Sequence, residues 1–141
     1  MPSGFTIDTG RRIVLQCAWG IVLGPRMVEH ARALGLDPRF EPSFMTISDL
    51  RRVTDMQATS EDVRELAAAS PFGAGSLRVT IVSSDEMFGL SRMFELLREQ
   101  KGDVMHISRD LDDALEWLGI VQHKQAIVAT LGAAPVTSFD P

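Results

Sequence analysis

Cys17 is the only cysteine among the 141 residues of the chain, so no internal disulfide can form and a reducing cytoplasm is the compatible setting. Lysine is almost missing, with only Lys101 and Lys124. The basic residues gather no further than Arg11-Arg12 and Arg51-Arg52, and the formal net charge is -5. That excludes a stripe able to neutralise a nucleic-acid backbone, and it gives no attraction to an anionic membrane. No run approaches the roughly 18 apolar residues of a membrane span. Met1-Pro2-Ser3-Gly4-Phe5 has no basic segment leading into an apolar one, so no secretory signal is expected and the expected location is cytoplasmic. No Gly-x-Gly-x-x-Gly or Gly-x-x-x-x-Gly-Lys element occurs, and Phe72-Gly73-Ala74-Gly75-Ser76 comes before a strand, not after one. His30, His106 and His123 are dispersed, without metal-ligand spacing.

What is present is an ordinary globular balance, 45% hydrophobic and 23% charged, in a chain the size of one domain. Hydrophobic period organises it. Leu77 to Val82 alternates as a strand, Met87 to Leu97 repeats as an amphipathic helix, Val104 to Ile107 is strand again, and Leu111 to Leu118 is helix. A β-α-β-α run calls for parallel strands, because parallel neighbours need a crossover and a helix supplies it. Upstream, Phe5–Asp8 and Ile13–Val22 flank Thr9-Gly10-Arg11 as a hairpin. Pro25 opens a helix with Met27, Val28, Ala31 and Leu34 inward and His30 toward its wet side. Phe44–Leu50 is the third strand, and Arg51–Ala58 reads as a polar irregular stretch. Thr59 then caps a second helix. In the third helix, Arg92, Glu95 and Arg98 fall on the outer side. The reading is an α/β domain: a mixed five-stranded sheet with about four helices over residues 1–120. Residues 121–141 form a tail, partly packed or flexible, in which 125–131 makes a short strand or helical turn and the last several residues are loosely held.

Three strand ends carry the same chemistry: Ser48-Asp49, Ser83-Ser84-Asp85 and Ser108-Arg109-Asp110. Ligands of open α/β sheets gather at the carboxyl ends of strands, and clustered carboxylates there would suit Mg²⁺. Asp85 and Asp110 also stand where helix N-caps belong, and capping is the simpler use of both. Cys17, mid-strand on an apolar face, reads as a small buried hydrophobe. Neither His30 nor His106 has an evident orienting acid, so neither reads as a general base. Trp19, Phe88 and methionines 27, 45, 87, 93 and 105 could line a cavity between helices and sheet.

Residues 5–120 resemble the SpoIIAA-like family, relatives of the STAS domain of anti-sigma-factor antagonists and sulfate transporters. The similarity is carried by Asp49-Leu50-Arg51-Arg52-Val53-Thr54, by Phe88-Gly89-Leu90-Ser91-Arg92-Met93-Phe94-Glu95, by the stretch from Arg109 to Gly119, and by the order of elements. The resemblance implies a non-enzymatic domain that binds a protein partner or a small hydrophobic ligand. The Asp-Ser-Ser-Gly-like phosphorylation turn of the wider group is absent, since Asp49 is followed by Leu50-Arg51-Arg52. No phosphosite is therefore carried over.

The expected function is a non-catalytic STAS-like module that binds a protein partner in regulation. Asp49, Arg51, Arg52, Thr54, Asp55 and Arg109 are its candidate binding residues. A carrier or sensor of a small apolar ligand comes second, and an Mg²⁺ enzyme built on Asp49, Asp85 and Asp110 third. No cofactor, metal or nucleic acid is expected. Homodimerisation through an edge strand or the apolar tail is compatible with the pattern.

Overall fold

The computed structural model describes residues 3–133. Strands β1 (Ser3–Asp8) and β2 (Ile13–Leu23) form the expected hairpin, and helix α1 (Gly24–Leu36) leads to β3 (Met45–Gln57). There follow α2 (Ser60–Ala69), β4 (Leu77–Ile81), α3 (Asp85–Glu99), β5 (Val104–Ser108) and α4 (Leu111–Leu118). A 3₁₀ turn (Val121–His123) then enters α5 (Lys124–Ala133). The sheet is mixed, in the order β1-β2-β3-β4-β5, with β1 antiparallel to β2 and the other neighbours parallel. The α/β reading therefore holds, with a fifth helix added. Of the tail expected to be partly packed or flexible, Lys124–Ala133 forms a helix that joins the core, and the last several residues, expected to be loosely held, lie outside the described residues.

Each crossover steps one strand in the same direction, so right-handed connections place α1, α2 and α3 side by side on one face. The other face is covered by α4 and α5, which pack on β4–β5 and on β2 respectively. Strand alternation splits the core accordingly. Ile13, Leu15, Ile47, Val79 and Ile81 point to the α4/α5 side and meet Leu111, Leu115, Ile127 and Leu131. This is why 125–131 becomes helix: Ile127 and Leu131, four apart, bring one apolar edge to the aliphatic face.

Arg51–Ala58 departs from the expectation of an irregular stretch. β3 continues to Gln57, paired with β2 through Ile21↔Asp55, Val22↔Met56 and Leu23↔Gln57. Two register shifts, between Cys17/Trp19 and Gly20/Ile21, each give β3 an extra residue. Such bulges break the period of two that would otherwise mark a strand. β1 pairs only as far as Ala18 and β4 only as far as Asp49, so the ends of β2 and β3 run on together as a two-stranded ribbon.

Helix starts follow capping chemistry, with one change. Thr59 Oγ1 accepts from Asp62 N while Asp62 Oδ2 accepts from Thr59 N, a reciprocal capping box. Asp110 caps α4 by accepting from Asp113 N. Asp85, read as a cap, is instead the first residue of α3; the cap is Ser84, whose hydroxyl reaches Met87 N. Asp85 still lies at the positive end of the helix, with its carboxylate exposed and paired to Arg109. Gly119 closes α4 with φ 73°, a conformation that favours glycine.

Candidate functional site

A parallel sheet covered on both faces ordinarily reads as continuous aliphatic sequence. The α4/α5 face obeys this; the α1–α3 face does not. Gln16, Ser48 and Thr80 stand in one register row across β2, β3 and β4, with Thr46 and Arg78 in the row beside it. Gln16 Nε2 donates to Thr46 Oγ1 at 3.0 Å and lies 3.4 Å from Ser48 Oγ, and Thr46 donates to Val14 O. Above this polar floor the helices do not close completely. They leave a cavity of about 130 Å³ whose walls are mostly apolar, including Met27, Met56, Met87 and Leu90.

The sequence places His30 on the wet side of α1, but it is buried and lines this cavity. It sits three residues after Met27 and four before Leu34, so the inner stripe of α1 carries it inward. Its Nε2 lies 2.9 Å from Gln16 Oε1 and its Nδ1 3.1 Å from Ser3 Oγ. Burial pushes the imidazole pKa down to about 4, so it is neutral at physiological pH.

At another part of the wall lies Arg78, 7% exposed, its guanidinium between the rings of Phe72 (4.4 Å) and Phe94 (5.2 Å). It shares the buried Asp103 carboxylate with Arg98. Arg78 Nη1 donates to Oδ2 at 2.9 Å, and Arg98 reaches both oxygens from Nε and Nη2. Arg98 also donates to Ala67 O and Phe72 O, tying α3 to the end of α2. This corrects the outward placement of Arg98 and Glu95, both of which are buried, with Glu95 held by Arg92. α3 is rotated so that its inner edge runs Met87, Ser91, Phe94/Glu95 and Arg98, and Leu96 is exposed instead.

The residues proposed from sequence fall into three places. Asp49 is buried at the end of the β4-paired part of β3, held by Arg51 through Nε and Nη2, both at 2.9 Å. That bidentate bond shifts the Arg51 pKa upward. Arg52 extends beside it toward Cys17 Sγ (3.0 Å) and Leu131 O (3.4 Å) and lies over Trp19. Asp49, Arg51 and Arg52 line a shallow depression with Leu111, Val128 and Leu131. Thr54 and Asp55 are exposed on the projecting ribbon, where Asp55 accepts from Gln57. Arg109 stands apart, bonded to Asp85 at 2.7 Å and placed over Phe88. Asp49, Asp85 and Asp110 are thus occupied separately, by a guanidinium, by Arg109 and by a helix N-terminus. Among the described residues no group of three or more His, Cys, Asp or Glu is arranged to hold a metal ion.

Two further expectations change. His106 does have an acid: its Nε2 lies 2.8 Å from Asp113 Oδ2, and its ring stacks on Trp117. Hydrogen bonds from His106 and Ser108 lower the Asp113 pKa. The pair joins β5 to the first turn of α4, seven residues on, a separation that local spacing does not mark. The cavity also has different walls, since Trp19 and Phe88 lie outside it, and of the methionines named only Met27 and Met87 line it, joined by Met56. Cys17 is buried as expected, and burial raises its thiol pKa. The polar floor and Arg78 were missed. Their signal was a polar residue at the alternate position of three strands otherwise built from Ile, Leu and Val.

No protein-family model matches the chain, and no curated protein matches it. Among solved structures, an uncharacterised protein of the DUF3478 family with a SpoIIAA-like fold, from Shewanella loihica PV-4, is similar over 84% of this chain and 95% of its own, with a TM-score of 0.54 and 14% sequence identity. The fold is SpoIIAA-like. Among the described residues no helix is long and apolar enough to cross a membrane.

Proposed function

We propose that this protein is a non-catalytic module that takes a small, predominantly apolar ligand between its sheet and helices α1–α3, as a carrier or sensor. The observation that carries the reading is the cavity of about 130 Å³ standing over Gln16, Ser48 and Thr80. An apolar cavity of roughly 150 Å³ takes up benzene, so this one suits a molecule of about six or seven non-hydrogen atoms. A few polar groups in an otherwise apolar wall are the usual means of orienting a ligand. Methionine walls adapt to shape because the side chain is unbranched and polarizable.

The test is nuclear magnetic resonance of protein labelled at the methionine methyls, titrated with benzene and with 1-pentanol. Saturable shifts at Met27, Met56 and Met87, with Met45, Met93 and Met105 unmoved, are the expected result. Absence of saturable shifts at the three wall methionines refutes the reading.

Protein-partner recognition in regulation is the second reading, favoured by the ribbon formed by the ends of β2 and β3. It carries Ile21 and Leu23 exposed on β2, opposite Asp55 and Gln57, and both of its edges run past the neighbouring strands. A free edge with outward apolar side chains is a template for strand addition. Ile21→Lys and Leu23→Lys together, which leave the core untouched, are expected to abolish capture of a specific partner without lowering Tm.

A further inference from the structure

The ligand proposed above has a polar end, and the wall it meets is not uniform. Three ionisable side chains, Arg78, Arg98 and Asp103, are buried together, with side-chain exposures of 9%, 8% and 0%. Two guanidiniums share one carboxylate, so the cluster retains one positive charge. Arg98 is engaged through all three guanidinium nitrogens, by Asp103 and by the Ala67 and Phe72 carbonyls. Arg78 is not. Its two hydrogen bonds, to Ser70 Oγ at 3.1 Å and Asp103 Oδ2 at 2.9 Å, both leave from Nη1. Its Nε–H is buried without a hydrogen-bond partner among the described residues.

A buried donor left unmade is uncommon in folded proteins, and one on a charged group is the costliest kind. The flanking Phe72 and Phe94 rings occupy the space beside the guanidinium, so a further acceptor must approach in its plane. The unused Nε side is a side from which arginine grips a carboxylate in bidentate fashion. Arg78 lines the cavity. The polar groups elsewhere on its wall, among them Ser3, Gln16, His30, Ser48 and Thr80, are uncharged, so the charge opposing an anion at Arg78 is that of Asp103, which the two guanidiniums outweigh.

We infer that the cavity selects a short carboxylate, an aliphatic or aromatic acid of about six or seven non-hydrogen atoms, whose anionic head completes the hydrogen bonding of Arg78 while its apolar body lies over the polar floor toward Met56 and Met87. This inference rests on the cavity being a ligand site at all. It adds the sign of the ligand's charge and the residue that reads it.

The experiment compares pentanoate, 1-pentanol and pentylammonium on the unsubstituted chain at pH 7, by titration of the methionine-methyl spectrum. Pentanoate is expected to bind about tenfold tighter or more than 1-pentanol, the gain of one charge-assisted hydrogen bond in a site shielded from water, and pentylammonium weakest of the three. If pentanoate and 1-pentanol bind equally, the cavity reading stands and the assignment to Arg78 falls. If none of the three shifts the wall methionines, the cavity reading falls and takes this inference with it. In Arg78→Gln, with Tm recorded alongside, the preference for pentanoate over 1-pentanol is expected to disappear while 1-pentanol binding persists; a retained preference overturns the inference. Where that variant does not fold, the three-probe comparison on the unsubstituted chain decides alone.

Discussion

Acid should weaken this protein through His30 before its carboxylates titrate. The imidazole is enclosed between α1, β1 and β2 and lies close to two uncharged groups, Ser3 Oγ and Gln16 Oε1. An added proton would therefore have to be buried, and burial disfavours the charged form. The unfolded chain takes that proton near pH 6.5, whereas burial holds the folded imidazole to about 4. A group whose folded pKa is depressed contributes its full stability above the unfolded pKa and loses it as pH falls toward the folded one. The window is pH 6.5 down to 4, and across it the loss amounts to about 3 kcal/mol, a large part of a small domain's stability. Urea unfolding followed through Trp19 and Trp117 fluorescence at closely spaced pH values measures it. His30→Gln keeps a hydrogen-bonding side chain but cannot titrate, so it removes that part of the slope while leaving the carboxylate contribution at the acid end. Parallel stability curves for the two proteins between pH 6.5 and 4 would refute the assignment of the proton to His30.

Two substitutions probe the scaffold around the site. Gly24 opens α1 directly beneath the start of α2, and a Cβ there would stand 2.7 Å from Asp62 Cβ, which the capping box holds in place. Gly24→Ala is expected to cost roughly 1–3 kcal/mol by overpacking, read as a lower urea midpoint; an unchanged midpoint would show that α2 yields freely. Asp103→Asn leaves Arg78 and Arg98 buried without a counter-charge, and a loss of about 3–5 kcal/mol is expected. A loss below about 1 kcal/mol in a thermal melt would mean that water already reaches the pair.

Local sequence carried most of the frame. Hairpin, crossovers and helix starts were readable because Thr9-Gly10, Pro25, Thr59 and Asp110 act on their immediate neighbours. The second half of β3 was not, because its two bulges shift Arg52 to Gln57 out of period and only the matching length of β2 supplies their partners. α5 was missed as a helix for a different reason. Its apolar residues are not segregated in the chain, and it folds on a surface made by β2 and α4. The candidate site was least legible. Asp49 and Arg51, two residues apart, were both named from sequence though not as a pair, whereas Arg78–Asp103 spans a crossover and His30–Ser3 a strand and a helix. Charge placed inside by tertiary packing has no local signature. The one clue was Gln16, Ser48, Arg78 and Thr80 sitting where both-face burial calls for aliphatics.

Every crossover helix lies on the same side, so the reverse of the sheet depends on what comes after β5. Ile127 and Leu131 complete the shelter of Ile13 and Leu15 there, together with α4. A polypeptide ended at Ile120, where the strong periodic signal stops, would bare a greasy plate on β2 and invite clumping. Helix α5 is a lid on the dry side of the molecule, and the piece that looks expendable on paper is the piece that keeps the sheet from sticking to its neighbours.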